Sequence, residues 1–110
     1  MMTIKEARQI LATIDVTEKQ IEASTEYMLN KIEESKKSGA YKKQGGVMFK
    51  FSTDTAVAWI SLWHMGELVY HLTERGEDIY CGPDATKCAE MLYKLGVAHK
   101  MYGKKFLGCC

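Results

Sequence analysis

The first third of the chain has the hydrophobic spacing of two consecutive helices. The pattern Thr3-x-x-Glu6 is a capping box, in which two side chains satisfy free backbone N–H groups at a helix start. An apolar stripe follows at intervals of three and four residues: Ile4, Ala7, Leu11 and Ile14. A second capping signal, Thr17-x-x-Gln20, precedes a weaker stripe of Ile21, Thr25, Met28 and Ile32, with Leu29 beside it. We predict helices over about residues 3–14 and 17–37, packed against each other.

The middle third changes to the hydrophobic pattern of short strands. Val47, Phe49 and Phe51 lie at every second position, the period of a strand with one buried face. Residues 56–64 are ambiguous, because a short apolar run fits a strand or a buried helix; their valine, isoleucine and tryptophans favour a strand. Tight turns are predicted at Met65-Gly66 and Arg75-Gly76. These signals predict a four-stranded antiparallel meander over about residues 47–81.

The two predicted turns fix how the strands pair, and this pairing decides which strand residues share a face of the sheet. One face would hold Val57, Trp59, Ser61, Trp63, Leu68, Tyr70, Leu72, Ile79 and Cys81. The other would hold Ala58, Ile60, Leu62, His64, Glu67, Val69, His71, Thr73, Asp78 and Tyr80. We predict that the first face is the core under the last helix, because it is the more apolar. The second is apolar at its centre, so we expect something to cover it as well.

The last third predicts one further helix, over about residues 84–102. Gly82-Pro83-Asp84 ends the sheet and caps the helix, and Gly103 is a natural stop. Its apolar stripe consists of Ala85, Cys88, Leu92, Leu95, His99 and Tyr102. Gly96 weakens the helix, so we expect close packing at that position. The whole is predicted as a single α+β domain over residues 1–110, with two N-terminal helices, the meander and a C-terminal helix packed on the sheet.

Charge is distributed in alternating blocks along the 110 residues, although the net charge is only +1. The net charge is −3 over residues 1–34, +5 over 35–50, −5 over 51–90 and +4 over 91–110. Such blocks favour self-association or docking between charged faces over the broad basic excess of a nucleic-acid binder. The basic residues are also mostly lysine, whereas arginine is better suited to the bidentate hydrogen bonds that bind bases and phosphates. We therefore predict no nucleic-acid partner.

Histidines and cysteines are the residues that could carry chemistry, and their spacing is unfavourable for it. Cys81-x6-Cys88 is wider than the usual zinc-ligand spacing, and both thiols are predicted to be buried. His64 and His71 would share a sheet face about 13 Å apart, too far for one ion. Glu67 could tune His64 across the turn for acid–base work, but an ordinary cross-strand pair is the simpler interpretation. We predict no metal, no cofactor and no enzymatic activity.

The basic, glycine-containing loop before the sheet is the other candidate binding feature. Lys42 and Lys43 precede Gly45-Gly46, and a pocket between this loop and the sheet could use Trp59 or Trp63 as a stacking wall. His64, Glu67 and His71 complete this predicted ligand-binding set. A small anion such as a nucleotide would be the ligand.

The two ends of the sequence bear on its location. The first residues lack the apolar stretch of a signal peptide, so we expect a cytoplasmic protein. The terminal Cys109-Cys110 pair resembles the doubly prenylated ends of Rab-type small GTPases, which would imply membrane attachment. The chain has no phosphate loop of that family, and we expect no membrane association unless Cys109 and Cys110 are lipidated.

Two hypotheses about function follow from these patterns. The first is a small non-enzymatic interaction or regulatory protein, a homo-oligomer such as a homodimer or a binder or inhibitor of a protein partner. It depends on two apolar sheet faces, seven methionines and the charge blocks. The alternative is a protein that binds or sequesters a small ligand with the aromatic sheet and the basic loop.

Overall fold

A computed structural model describes residues 2–38, 47–52, 57–64, 68–74 and 77–103. Within these ranges, residues 35–36, 47–52, 57–64, 68–69 and 74 are described by their backbone alone. The chain is an α+β protein with an antiparallel sheet, which confirms the predicted fold class. The helices are α1 (Ile4–Thr13), α2 (Glu18–Ser38) and α3 (Ala85–Tyr102). The strands are β1 (Val47–Ser52), β2 (Val57–His64), β3 (Leu68–Glu74) and β4 (Glu77–Gly82), paired in that order.

Each described helix start has the cap that its sequence specifies. Thr3 Oγ1 accepts a hydrogen bond from the Glu6 backbone N–H at 3.1 Å. Thr17 and Gln20 form the full reciprocal box, with bonds of 2.9 and 3.2 Å. Asp84 caps α3 by accepting from the Lys87 N–H at 3.1 Å. These local bonds satisfy donors that the first turn of a helix leaves free, which explains why the sequence located the starts so closely.

Residues 57–64 form strand β2, so the strand interpretation of this ambiguous run is confirmed over the helical one. The register of β2 with β3 differs from the predicted one by a single residue. His64 pairs with Leu68, whereas the expected turn at Met65-Gly66 would have paired it with Glu67. A one-residue change in register moves every residue of a strand to the opposite face relative to its neighbour. The predicted grouping of β2 with β3 was therefore wrong.

Strand β4 departs from regular alternation through a β-bulge. Thr73 pairs with Asp78 but Leu72 pairs with Tyr80, so Ile79 is an extra residue in β4. Such a residue bends its strand and changes the face on which the following residues lie. Ile79 is buried and Tyr80 packs against the same core, while Cys81 is exposed. The prediction that Cys81 is a buried core residue was therefore wrong.

The helices pack on one face of the sheet, which we name the inner face and define by Tyr70, Leu72 and Ile79. All three residues are buried in one cluster with side chains from α1, α2 and α3. The helical contributors are Ala7, Leu11, Met28, Ile32, Cys88, Ala89, Leu95 and Ala98. α2 contacts both α3 and β1, and α3 contacts β3 and β4, so α2 and α3 lie side by side over the sheet.

The predicted apolar stripe of α3 is confirmed at the centre of the helix. Cys88, Leu95 and His99 are fully buried, but Tyr102 at the helix end is 38% exposed. Leaving aside the backbone of α3 and the two neighbouring residues, no described atom lies within 4 Å of the position that a Cβ on Gly96 would take. The close packing expected there is therefore not found among the described residues. Gly103 ends the helix with a φ of 59°, a conformation that glycine adopts without strain.

Candidate functional site

The opposite side of the sheet, which we name the outer face, is defined by His71, Thr73, Asp78 and Cys81. Asp78 pairs with Thr73, and Cys81 pairs with His71, so all four lie on one side by register. Asp78 and Cys81 are exposed, and His71 and Thr73 are partly exposed. The core cluster includes only inner-face residues of β3 and β4. The described helical residues of that cluster therefore pack on the inner face and not on the outer face.

Register extends the outer face across the two preceding strands. Trp59 pairs with Thr73, Ser61 with His71 and Trp63 with Val69. In β1, Met48 pairs with Ser61 and Lys50 with Trp59. Both tryptophan positions therefore share the side of His71 and not that of Leu72, the reverse of the predicted arrangement. The residues of β2 that share the inner face by register are Ala58, Ile60, Leu62 and His64.

A histidine–carboxylate pair is the most polar feature of the outer face. His71 Nε2 lies 2.7 Å from Asp78 Oδ1, a hydrogen bond across β3 and β4. The His71 side chain is 22% exposed and that of Asp78 is 63% exposed. Asp78 forms a second hydrogen bond beside the bulge, in which the Arg8 guanidinium of α1 donates to the Asp78 backbone carbonyl oxygen. Asp78 thus joins α1, β3 and β4 at one point.

The sequence placed His71 and Asp78 on a shared face, but it did not single out their pairing. The signal was present in the predicted turn at Arg75-Gly76, which makes Thr73 and Asp78 opposite neighbours. His71, two residues before Thr73, is then diagonal to Asp78 and within reach of a long side chain. The pair considered for acid–base work was His64 with Glu67. Glu67 lies outside the described residues, and the register partner of His64 is Leu68.

Several predicted site residues are not brought together by the described structure. His64 and His71 lie on opposite faces by register, so their predicted shared face was wrong. Lys42 and Lys43 lie outside the described residues, as do Cys109 and Cys110. Trp59 and Trp63 are described by their backbone alone. The anion pocket between the basic loop and the aromatic strands therefore stays a prediction.

The two described cysteines differ sharply in their surroundings. Cys81 is exposed on the outer face, and Cys88 is buried in α3. Burial raises the pKa of the Cys88 thiol to about 12. Burial also raises the pKa of Tyr70, and the negative charge of the neighbouring Cys88 thiolate adds to the rise. Within the described ranges, no three histidine, cysteine or acidic side chains are grouped so that they could hold a metal ion.

A groove of about 400 Å³ is lined by residues of α2 and by Thr86 of α3. Its apolar lining comes from Ile21 and Leu29, with Thr25 between them along the helix. Glu22 and Glu26 also line it, and both are exposed. Two acidic residues disfavour an anion, so this groove does not suit the kind of ligand predicted for the basic loop.

Comparisons with protein families, with curated proteins and with solved structures gave no match for this chain. Among the helices that the structure describes, none has the length and apolar character needed to cross a bilayer. The functional interpretation therefore depends on the surfaces themselves.

Proposed function

We propose that this chain is a small non-enzymatic interaction protein that associates with a second copy of itself through the outer face of its sheet. The proposal takes the sheet as the complete four-stranded meander. The observation that carries it is the one-sided packing: helical side chains bury Tyr70, Leu72 and Ile79, while Asp78 and Cys81 on the other side are exposed. An antiparallel sheet that faces water normally alternates apolar and polar residues.

The outer face has an unusually apolar sequence for a solvated surface. Its register positions include Val57, Trp59, Trp63 and Val69, around the partly exposed His71. Tryptophan is among the residues most enriched in the energetic centres of protein interfaces. Two antiparallel sheets pack face to face at about 10 Å, a geometry that a second copy can provide.

Charge on this face supports a second copy over a strongly charged partner. The ionisable residues on this face by register are Lys50, His71, Asp78 and Cys81, and His71 and Asp78 hydrogen-bond to each other. Lys50 and Asp78 carry opposite charges, so the face has no large excess of one sign that two copies related by a two-fold axis would bring together. An isologous contact of this kind needs one self-complementary patch, and the outer face is a single patch on one side of the sheet.

The oligomeric state of the chain in solution tests the proposal. We expect sedimentation velocity of the reduced protein to give a dimer that dissociates on dilution. Trp59→Lys with Trp63→Lys should give a folded monomer, because two buried lysines without partners would have to be desolvated at the contact. Thr73→Arg, at a partly exposed site, is a second and milder variant, and Tyr27→Ala on α2 is the control. A wild-type chain that sediments as a monomer at all concentrations would refute the proposal.

The small-ligand alternative takes second place. It needs Lys42 and Lys43 beside the aromatic strands, whereas the groove on α2 is lined by two acidic residues, Glu22 and Glu26. A wild-type chain that does not self-associate but binds a nucleotide saturably would favour this alternative over an interaction protein.

A further inference from the structure

The bulge in β4 links helix α1 to the outer face of the sheet. Arg8 of α1 donates a hydrogen bond to the backbone carbonyl oxygen of Asp78, and the Asp78 Oδ1 atom lies 2.7 Å from His71 Nε2. The helix and the histidine lie on opposite sides of the sheet, because α1 packs on the inner face and His71 lies on the outer face. Asp78 therefore forms hydrogen bonds with residues from both sides.

The hydrophobic core fixes the position of α1 relative to the bulge. Ala7, next to Arg8 in the helix, and Leu11, one turn later, are both buried in the core cluster. Ile79, the extra residue of the bulge, is buried in the same cluster. Arg8 itself is exposed, so its guanidinium reaches the Asp78 carbonyl oxygen from outside this core. The donor and the acceptor of this hydrogen bond are thus held in place by neighbours that share one core.

The bulge makes the backbone at Asp78 sensitive to an external donor. An extra residue in one strand interrupts the regular hydrogen-bond ladder beside it. The Asp78 carbonyl belongs to the peptide group that joins Asp78 to the extra residue, Ile79. A donor on that carbonyl oxygen fixes the orientation of the peptide group, and with it the backbone angle ψ of Asp78. The Asp78 side chain is 63% exposed, so packing restrains its direction little and the backbone matters more.

We propose that Arg8 is a positioning residue, which holds the Asp78 carboxylate against His71 and so prepares the outer face for self-association. This inference rests on the proposed function, because it places the His71–Asp78 pair at the contact between two copies. Without the Arg8 hydrogen bond the bulge relaxes, and each copy brings to the contact an Asp78 carboxylate that no longer lies against His71. Desolvation of that carboxylate opposes association. Helix α1, on the inner face, thereby influences a contact on the outer face.

A double-mutant cycle tests the positioning role of Arg8. Arg8→Gln removes the guanidinium and should weaken self-association in sedimentation velocity by at least about threefold. In the Asp78→Ala background the same substitution should change the affinity by about twofold or less, since no carboxylate remains to be positioned. Lys5→Gln is the matched control, because Lys5 is also exposed on α1 and its loss removes the same charge. This control should self-associate like wild type.

A second readout follows the His71 ring in the protein diluted to its monomeric form. An ionised carboxylate only accepts, so His71 Nε2 is the donor to Asp78, and long-range proton–nitrogen correlation spectra of the ring report this hydrogen bond. Arg8→Gln should move the His71 signals toward those of Asp78→Ala, in which the bond is absent. Lys5→Gln should leave them unchanged. His71→Gln assigns the signals, and circular dichroism of each variant confirms that the fold is retained.

The outcomes separate this inference from the proposed function. If wild type self-associates and Arg8→Gln changes neither the affinity nor the His71 signals, the positioning role is wrong while the outer-face contact stands. If Arg8→Gln weakens association equally with and without the Asp78 carboxylate, Arg8 acts on the fold in general and the inference is again wrong. If wild type stays a monomer, the proposed function fails, and the His71 signals of Arg8→Gln alone decide whether Arg8 positions Asp78.

Discussion

The two described cysteines of this chain differ in burial. Cys81 lies on the outer face and Cys88 in the core, seven residues apart along the chain. A thiol in apolar surroundings resists ionisation because the thiolate loses its hydration there. Cys88 is therefore a packing residue, and its high pKa is a consequence of the fold rather than a sign of reactivity.

The high pKa of Cys88 predicts a loss of stability at alkaline pH. In the unfolded chain this thiol ionises near pH 9, and in the folded chain near pH 12. Between these values the unfolded state binds fewer protons than the folded state, so the free energy of unfolding falls as pH rises. Below about pH 9 the contribution is fully present. The expected slope from this residue is roughly 1 kcal/mol per pH unit.

Urea denaturation at about pH 8 to about pH 10, with reductant present, measures that slope. In Cys88→Ala the alkaline decline should be shallower than in wild type by the contribution of one thiol. Cys81→Ala is the matched control, because it removes a thiol from an exposed position. Equal slopes in wild type and Cys88→Ala would contradict the assignment of the effect to Cys88.

At the scale of the element, helix α3 shows two glycines in different roles. Gly96 lies inside the helix, and the space around its Cβ position is open among the described residues. Gly103 ends the helix with a φ of 59°. The first glycine weakens the helix without a visible packing reason, whereas the second supplies a conformation that other residues adopt at a cost. The two positions should therefore respond to alanine in opposite ways.

We predict that Gly96→Ala raises the free energy of unfolding by about 0.5–1 kcal/mol. Gly103→Ala should lower it by about 1 kcal/mol, because an alanine side chain is strained at that φ. Thermal unfolding followed by circular dichroism compares the two, and the expected shifts are about 4 °C in opposite directions. Destabilisation by Gly96→Ala would show that another segment of the chain occupies the space beside it.

A third glycine, Gly82, is required by contact rather than by conformation. A Cβ at this position would lie 2.6 Å from the Tyr80 hydroxyl oxygen, so the Tyr80 side chain would have to shift. The same hydroxyl accepts a hydrogen bond from the Asp84 N–H at 3.1 Å. The bulge that turns Tyr80 toward the core thus also organises the link from β4 to α3.

At the scale of the whole molecule, the dominant property is that one face of the sheet is covered by helices. Leu72 and Thr73 are neighbours in β3, yet Leu72 is fully buried on the inner face and Thr73 is partly exposed on the outer face. Removal of a buried leucine leaves a cavity, and removal of a partly exposed threonine does not. Substitution of each of these two neighbours therefore tests whether the helices cover only the inner face of the sheet.

We predict that Leu72→Ala lowers the free energy of unfolding by about 2–5 kcal/mol. Thr73→Ala should change it by about 0.5 kcal/mol or less when the protein is dilute enough to be monomeric. Denaturant titration of both variants at one low concentration makes the comparison. A large effect of Thr73→Ala in the monomer would mean that part of the same chain covers the outer face.

The sequence by itself determined the features that depend on neighbouring residues. The caps at Thr3, Thr17 and Asp84 and the stop at Gly103 all follow from local hydrogen bonding and backbone freedom. The sequence only favoured a strand over a helix at residues 57–64, through the shape of their side chains. The buried stripe of α3 follows from helical periodicity in the same way. These features can be predicted without knowing which elements pack against each other.

Only the tertiary structure decided which face of the sheet is the core. Both faces of β2 are apolar, so composition could not choose between Trp59 and Ile60 as the residue on the helical side. That choice depended on pairing His64 with Leu68, while the extra residue Ile79 set the faces of Tyr80 and Cys81 in β4. Each is a shift of one residue, and in a sheet one residue reverses the face. The shift between β2 and β3 moves both tryptophan positions to the outer face and makes that face the leading candidate for function.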